Sequence, residues 1–221
     1  MLKKTQDKED LMPFDFKKEY KEWYMPKKTP QIVDLPACNY IAISGSGDPN
    51  EEDGAYQKAL KVLYSLAYTL KMSNKTDHVI EGYFPYVVPP LDGLWWSDKS
   101  SGIDYGDKSS FQWISMIPLP DFIKEEDFQR AVKTAENKKK IDCSKARFLR
   151  LEEGLCVQIM HIGSYDEEPA SIEKTDAFLA ENGHVCDLSD TRRHHEIYLS
   201  DPRRTKEENR KTVIRHPIRK A

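Results

Sequence analysis

The sequence contains an internal repeat of a strand, a glycine turn and a helix with an acidic start. In the first half, a predicted strand at residues 40–44 is followed by a glycine turn and a helix at about 53–72. In the second half, a predicted strand at residues 155–162 is followed by a glycine turn and a helix that begins at Pro169. Glycine and aspartate favour the turns, and acidic residues suit the positive end of a helix dipole.

Two halves of the form strand–helix–strand–strand indicate an α+β fold with pseudo-symmetry. We expect a curved antiparallel sheet with its main helices on one face and a ligand groove on the other. The predicted organisation is a disordered tail at residues 1–13 and a single domain at 14–221, with pseudo-repeats at about 30–120 and 121–218.

The region between the first helix and the second half is predicted to contain strands at residues 79–88 and 111–117. Pro85 favours a sheet edge or a bulge for the first of them. A polar loop at residues 97–110 precedes the second strand and is too long for a tight hairpin. A final edge strand is predicted at residues 212–218.

The composition is that of an ordinary soluble protein, with 32% charged residues, 38% hydrophobic residues and a formal net charge of -3. It lacks the basic excess expected of a nucleic-acid-binding protein. The four cysteines are widely spaced and form no C-x-x-C pair, which favours reduced thiols in a cytoplasmic protein. No apolar run is long enough to span a bilayer, and we identify no signal peptide.

The run His-His-Glu-Ile-Tyr-Leu-Ser-Asp-Pro at residues 194–202 alternates as a strand does. One set of side chains suits a face packed on helices: His195, Ile197 and Leu199. The other set places a carboxylate beside a phenol: His194, Glu196 and Tyr198. Glutamate is depleted in strands and is seldom buried without a partner, so Glu196 needs an explanation.

Two explanations for Glu196 are open. The first is a strand with one face in water. The second is a carboxylate on the floor of a cavity for a cationic or electrophilic small molecule. In that cavity, desolvation would raise the pKa of Glu196, and the side chain could hold a cation or act as a general base.

Aromatic residues concentrate around the predicted open face: Tyr83, Tyr86, Trp95, Trp96, Trp113 and Tyr198. Aromatic residues on strands are usually part of the core. The adjacent pair Trp95–Trp96 is harder to bury, and we expect at least one indole to face a cleft. Tyr64, on the flank of the first helix, and His194 are further candidates for the wall. Such a cavity favours flat, cationic or polarised aromatic ligands, because each cation–π contact contributes about 0.5–2 kcal/mol.

No metal or cofactor is predicted. The sequence contains no H-x-x-x-H or H-E-x-x-H motif, and the adjacent His194 and His195 point to opposite sides of a strand. Gly45-x-Gly47 lacks the third glycine of a dinucleotide-binding fingerprint. No cysteine lies in a glycine elbow or at a clear helix start, as a nucleophile would.

Four motifs resemble the GyrI-like small-molecule-binding family. They are Glu81-Gly82-Tyr83, Gly93-Leu94-Trp95-Trp96, the run from Met160 to Tyr165, and the run from His195 to Pro202. The resemblance implies a groove between the two halves that binds lipophilic, often cationic compounds around a central glutamate, which matches Glu196. The segment before Phe14 is too short for the helix-turn-helix domain of the family's regulators, so a transcription factor is not expected.

The tandem tryptophans are similar to those of a stand-alone branch of this family. Some members of that branch are similar to hydrolases that open the strained ring of cyclopropane-bearing DNA-alkylating compounds. This resemblance implies that Glu196 activates water while Tyr198, or alternatively Tyr165, donates to the carbonyl oxygen that gains charge. The three tryptophans that would stack on the flat ligand are Trp95, Trp96 and Trp113.

Three hypotheses about function therefore remain. The protein hydrolyses such xenobiotics, or it sequesters or senses them without catalysis, or it is an interaction protein similar to gyrase inhibitors. In each case we expect a cytoplasmic monomer or homodimer. Its expected partner is a small-molecule ligand rather than nucleic acid or a membrane.

Overall fold

The computed structural model describes residues 12–98 and 102–221. The predicted tail therefore falls almost wholly outside the described residues, as do three residues of the polar loop. The described part contains five α-helices: α1 (Phe16–Glu19), α2 (Lys21–Tyr24), α3 (Ala55–Lys71), α4 (Glu125–Lys139) and α5 (Glu168–Glu181). It also contains nine β-strands: β1 (Gln31–Leu35), β2 (Cys38–Ser46), β3 (Leu91–Ser97), β4 (Phe111–Leu119), β5 (Ala146–Leu151), β6 (Gly154–Ile162), β7 (His184–Cys186), β8 (His194–Tyr198) and β9 (Lys211–Lys220).

The strands form one curved antiparallel sheet in the order β1-β6-β9-β8-β3-β4-β2-β5, and β7 pairs with β9. This confirms the α+β class. The order is symmetric about the junction of β8 with β3, because β8-β9-β6 on one side mirrors β3-β4-β2 on the other. Each outer edge is completed by a strand from the other half, β1 on β6 and β5 on β2. We therefore propose that the chain is a single domain of two pseudo-repeats with the bounds given above.

Two strand predictions were wrong. Residues 79–88 form no strand, because Gly82 adopts a left-handed turn with φ of 73° and Pro85 can donate no ladder hydrogen bond. The strand begins only after the Pro-Pro pair, as β3. The predicted edge strand at residues 212–218 instead lies in the sheet as β9, between β6 and β8.

The main helices cover one face of the sheet. The predicted apolar stripe of α3 is confirmed, with Tyr56, Leu63 and Leu70 among its buried residues. This stripe packs on β2, β3 and β4 together with α4. In the second half, Leu179 of α5 packs against Val157 of β6. None of the described helices has the length and apolar character needed to cross a membrane.

The short helices α1 and α2 cover the opposite face of the second half. Tyr24 packs there with Met160, Ile197 and Val213, and the half-buried Trp23 lies at the margin. Residues Ile197 and Leu199, expected to pack on helices, do so on this side. The second half of the sheet is therefore enclosed from both sides.

A buried ionic network lies on the α1–α2 face. Glu153 accepts from His195 Nδ1 at 2.7 Å and from Arg215 Nη1 at 2.7 Å. His195 Nε2 lies 3.4 Å from a carboxylate oxygen of Asp92. Arg215 also donates to the main-chain oxygen of Trp23 at 3.1 Å, which joins the sheet to α2.

The network shifts the titration of its members strongly. Burial disfavours the charged imidazolium of His195, but Glu153 and Asp92 outweigh it and raise the pKa of His195 to about 9. Burial likewise opposes ionisation of Glu153, but His195 and Arg215 lower the pKa of that carboxyl to about 2. Both groups are therefore charged at neutral pH, and each compensates the other.

His195 should make the stability of the fold depend on pH. Because its folded pKa of about 9 lies above the ordinary 6.5, its contribution is complete below pH 6.5 and is lost as the pH rises towards 9. We expect the free energy of unfolding of the wild type to fall by on the order of 2–3 kcal/mol across that window. Chemical denaturation at several pH values measures it.

The variant His195→Gln should lack most of this slope. His184→Gln is the matched control, since His184 bonds the main-chain oxygen of Asn182 rather than a carboxylate. Equal slopes for wild type and His195→Gln would contradict the assignment.

Candidate functional site

The pairing of β3 with β8 brings the predicted site residues to the centre of the sheet. Gly93 lies opposite Glu196, and Trp95 lies opposite His194. We expected this groove on the face away from the main helices. The structure instead places Glu196 on the face that α3 and α5 cover, because α1 and α2 occupy the other side.

Glu196 is a buried carboxylate, 6% exposed, with an imidazole chain behind it. His194 Nε2 lies 3.0 Å from Glu196 Oε1, and His194 Nδ1 lies 2.7 Å from Nε2 of the buried His216. Burial and the neighbouring His194 lower the pKa of His216 to about 3, so this second ring is neutral. The contact with His216 holds the ring of His194 so that its Nε2 is directed at the Glu196 carboxylate.

A second carboxyl group, which the sequence did not predict for the site, stands beside Glu196. Glu168 is the first residue of α5 and is fully buried. One of its oxygens accepts from the hydroxyl of Tyr105 at 3.1 Å, and the other has no hydrogen-bond partner among the described residues. One donor atom from each of Glu168, His194 and Glu196 lies within 4.8 Å of the other two. Burial and the proximity of Glu196 raise the pKa of Glu168 well above its ordinary value.

The two predicted phenols lie at this cluster. Tyr198 accepts a hydrogen bond from Trp95 Nε1 at 2.7 Å, and its ring meets that of Tyr165 edge-on at 5.8 Å. Burial, and then Glu196, raise the pKa of Tyr165 to about 12 and that of Tyr198 well above its ordinary value. Both hydroxyls are therefore protonated at neutral pH.

The three predicted tryptophans occupy different positions. Trp95 and Trp113 are 4% and 1% exposed, and the ring of Tyr56 from α3 lies 5.4 Å and 5.2 Å from theirs. Gly45 makes room for Trp113, since a Cβ there would come within 2.3 Å of the indole. Trp96 projects to the opposite face of β3, where the guanidinium of Arg193 lies 4.4 Å from its ring. Trp95 thus reaches the cluster, Trp113 supports it from the core, and Trp96 is not part of it.

The remaining predicted aromatic residues lie farther out. Tyr83 donates to the main-chain oxygen of Lys71 at 2.8 Å, and both Tyr83 and Tyr86 pack around Phe122. Tyr64 lies two turns after Tyr56 on α3 and is 38% exposed. These three do not join the described contacts of Glu196.

Sequence signals for the site residues that were not predicted are weak. Glu168 precedes Pro169 and resembles an ordinary acidic helix start, whereas Tyr56 belongs to the apolar stripe of α3. Tyr105 comes from the polar loop. The described part of this loop contacts the first residue of α5 through Tyr105, and it contacts the turn before α5 through a 2.7 Å ion pair of Lys108 with Asp166. Only the fold brings these groups to Glu196.

Two carboxylates and an imidazole are donor types that divalent cations also use. Here His194 Nε2 is engaged with Glu196, and one oxygen of Glu168 is engaged with Tyr105. We interpret the cluster as a hydrogen-bonded acid–base site. The absence of a metal and of a cofactor stays a prediction.

A cavity of about 570 Å³ lies on the outer side of the first turn of α5. It is an open depression on the surface, and its lining includes His161, Asp166, Pro169, Ser171 and Lys174. Glu196 and the tryptophans do not line it. The chemistry-bearing groups thus lie in the enclosed layer between the sheet and the helices.

Comparison with known proteins places these features in context. The protein-family model described as "GyrI-like small molecule binding domain" matches residues 28–219. A solved hydrolase from Listeria innocua is 40% identical, with a TM-score of 0.85 over 93% of this chain and 100% of that chain. An uncharacterized conserved protein from Listeria innocua is 41% identical, with a TM-score of 0.87 and the same coverage. The C-terminal domain of EcmrR, 13% identical with a TM-score of 0.52 over 87% of this chain and 98% of its own, shares the fold. A comparison with curated proteins found no match.

Tyr198→Phe should destabilise the fold through Trp95. Without the hydroxyl, the buried Trp95 N–H has no acceptor, which costs about 1–3 kcal/mol. We expect this loss in the free energy of unfolding measured by denaturant titration. Tyr68→Phe is the control, because Tyr68 is 50% exposed on α3 and should change little. Equal effects of both substitutions would contradict a structural role for this hydrogen bond.

Proposed function

The chain belongs to the family of GyrI-like small-molecule-binding domains, and on this basis we propose that it binds flat, lipophilic aromatic compounds at Glu196 and hydrolyses those that carry a strained cyclopropane ring. The observation that carries this proposal is the buried Glu196 carboxylate, held by His194 and surrounded by aromatic rings. The biological role we propose is detoxification of DNA-alkylating xenobiotics. The ligand would occupy the layer between the sheet and the first turns of α3 and α5.

Hydrolysis is supported by the solved Listeria innocua protein named a hydrolase, which is 40% identical to this chain over nearly its whole length. It is also supported by the local chemistry. A buried carboxylate with a fixed imidazole neighbour can take the proton of a water molecule that attacks the cyclopropane carbon. A positioned base contributes about 100- to 10,000-fold, which is useful when ring strain already favours opening.

Binding of the flat ring system is supported by the aromatic surfaces around the carboxylate. The rings of Tyr56 and Trp95 lie 5.4 Å apart, and those of Tyr165 and Tyr198 lie 5.8 Å apart. The negative charge of Glu196 helps to raise the pKa of all three phenols, which supports their proximity to the carboxylate. A cationic ligand would form an ion pair with the carboxylate and cation–π contacts with these rings. A neutral ligand with a spirocyclopropyl dienone ring would stack on the rings and accept a hydrogen bond at its carbonyl oxygen. The site therefore suits polarised aromatic compounds of either kind.

A second candidate function is sequestration or sensing without turnover. It is favoured by the family description, which specifies small-molecule binding alone. In both cases we propose a cytoplasmic protein, monomeric or homodimeric, with no nucleic-acid partner. The four free cysteines support that location, because thiols persist in reducing compartments.

The decisive experiment is mass spectrometry of a synthetic spirocyclopropyl dienone incubated with substoichiometric protein. We expect several water additions per protein molecule for the wild type. Glu196→Gln should lower the rate by about 100-fold or more, because the amide cannot accept the water proton. Glu173→Gln, an exposed change on α5, is the control and should behave as wild type.

Measurements on the same samples distinguish hydrolysis from sequestration without turnover. Unchanged dienone together with quenched tryptophan fluorescence would support sequestration. Neither turnover nor quenching, or full activity of Glu196→Gln, would contradict the proposed function.

A further inference from the structure

A row of three polar side chains lies behind Glu196 and ends at a cysteine. His194 Nε2 lies 3.0 Å from Glu196 Oε1, and His194 Nδ1 lies 2.7 Å from His216 Nε2. The other ring nitrogen of His216, Nδ1, lies 3.8 Å from Sγ of Cys186, which is hydrogen-bond distance for sulfur. Both imidazoles are buried, whereas Cys186 is half-buried. The His194–His216–Cys186 row therefore leads from the enclosed carboxylate to a thiol that solvent partly reaches.

Regular strands and one helix fix this row. His194 and His216 lie on the adjacent strands β8 and β9, and their rings meet at 65° with centroids 4.9 Å apart. Cys186 of β7 pairs with Ile218, two positions beyond His216 on β9, so both side chains project to the same face. Cys186 and Ile218 pack there with Leu179 of α5.

The hydrogen-bonding capacities of these groups give the row one direction. A carboxylate only accepts, so a hydrogen on His194 Nε2 must fill the contact with Glu196. A neutral imidazole has one donor and one acceptor nitrogen, so His194 Nδ1 accepts from Nε2–H of His216. Nδ1 of His216 is then an acceptor in turn, and the thiol of Cys186 donates to it. Every hydrogen in the row points towards Glu196.

Burial supports this direction at the far end of the row. Burial and His194 lower the pKa of His216 to about 3, so this ring is neutral at neutral pH. Burial raises the pKa of the Cys186 thiol, so the sulfur keeps its hydrogen. A protonated His194 would reverse the row, because Nδ1–H of His216 would then point at a sulfur that is itself a donor. A neutral His194 avoids this conflict.

The charged groups near Cys186 leave it a donor. After burial, Asp176 of α5 and Asp187 beyond β7 act in the same direction on the pKa of the thiol, and main-chain N–H groups beyond β7 act against them. Arg192 is engaged with Asp187 at 2.6 Å. A nucleophilic role for Cys186 does not fit, because the weakly basic His216 cannot take the proton of a thiol whose pKa is raised.

At the other end, the row supplies a hydrogen-bond donor to Glu196. Glu168 brings a further carboxyl group within 4.8 Å, and the phenols of Tyr165 and Tyr198 are protonated. No lysine or arginine in the part of the chain that the structure describes forms a salt bridge with Glu196. Nε2–H of His194 thus stabilises the ionised carboxylate, and charge-assisted hydrogen bonds of this kind are roughly twice as strong as neutral ones.

Loss of the donor on His216 would change what His194 presents to Glu196. Without a hydrogen bond at Nδ1, the hydrogen of His194 can occupy that nitrogen, and Nε2 then presents a lone pair. A lone pair facing the carboxyl group favours its protonated form, which cannot take a proton from water. The tautomer of His194 therefore sets the basicity of Glu196.

We propose that His216 and Cys186 are positioning residues of this site, which act through His194 to keep Glu196 in its ionised, proton-accepting form. The role rests on the proposed function, in which Glu196 is the base that activates water. Neither residue needs to touch the ligand. Each donates a hydrogen bond to the next member of the row, and the effect reaches Glu196 as the tautomer of His194.

The first test needs no substrate. Nitrogen-15 NMR spectra of protein labelled in its histidines report which ring nitrogen carries the hydrogen. We expect the neutral Nε2–H tautomer for both His194 and His216 in the wild type at neutral pH. In His216→Leu the ring of His194 should shift towards the Nδ1–H tautomer, whereas His216→Gln, whose amide can still donate, should retain Nε2–H. An imidazolium or an Nδ1–H tautomer at His194 in the wild type would overturn the proposal.

Substitutions at the half-buried Cys186 keep the test decisive if His216→Leu does not fold. Cys186→Ala removes the donor to His216 Nδ1, and Cys186→Ser retains one. The Nδ1 signal of His216 should change in the alanine variant and return towards its wild-type position in the serine variant. Cys38→Ala is the control, because Cys38 is also half-buried but contacts the main-chain oxygen of Pro36. The same His216 signal in Cys186→Ala and Cys38→Ala would overturn the role of Cys186.

The second test is the pH dependence of kcat/KM for the spirocyclopropyl dienone, whose decline at low pH reports protonation of Glu196. His216→Leu should move this decline to higher pH by about one unit and Cys186→Ala by about half a unit, because each lost hydrogen bond favours the protonated carboxyl group. His216→Gln and Cys186→Ser should reverse most of the shift. A purely structural defect would lower the rate without moving the decline.

The outcomes separate this proposal from the proposed function. A decline that stays in place in all four variants would overturn the positioning role and leave hydrolysis intact. If the wild type turns over no dienone, the proposed function fails, and the NMR result alone decides whether the row fixes the tautomer of His194. A stoichiometric metal on His194 in the purified wild type would also overturn the proposal, since Nε2 would then carry no hydrogen.

Discussion

The antiparallel pairing of β3 with β8 determines both the arrangement of the sheet and the position of the site. It joins the two halves at the centre of one sheet and sets Gly93 opposite Glu196. Because alternate side chains point to opposite faces, the same register gives the two faces different chemistry. A Cβ at Gly93 would approach Trp95 Nε1 within 2.4 Å, so the glycine keeps room for the Trp95–Tyr198 hydrogen bond.

His195 and Glu196, which are adjacent on β8, therefore have different roles on the two faces of the sheet. His195 is charged and compensated by Glu153 and Asp92 on the α1–α2 face, where the network ties the sheet to α2 through Arg215. Glu196, one residue later, faces α3 and α5. Among the described residues, no lysine or arginine forms a salt bridge with its carboxylate. Removing one member of a buried ionic network leaves an uncompensated charge, so such a network holds its members together. We interpret the first face as the support that holds β8 in register and the second as the site that uses it.

The sequence predicted the fold well where periodicity was strong, and the site only in part. The stripe of α3 and the alternation around Glu196 are visible in the residue pattern alone, and so is the repeat that makes the sheet symmetric. The strand predicted at residues 79–88 does not form because Gly82 adopts a left-handed turn and Pro85 lacks a backbone N–H to donate. Trp96 was assigned to the site although alternation from Trp95 sends it to the other face. Glu168 and Tyr105 could not have been found, because helix and loop meet at Glu196 only in three dimensions.

A crystal structure of the protein with a non-hydrolysable flat analogue of the dienone would show where the ligand binds relative to Glu196. We expect the analogue to lie between Trp95 and the first turns of α3 and α5, with the carbon at the ring-opening position facing Glu196. A bound analogue in the open depression beside α5, with the Glu168–Glu196 cluster unchanged, would contradict it.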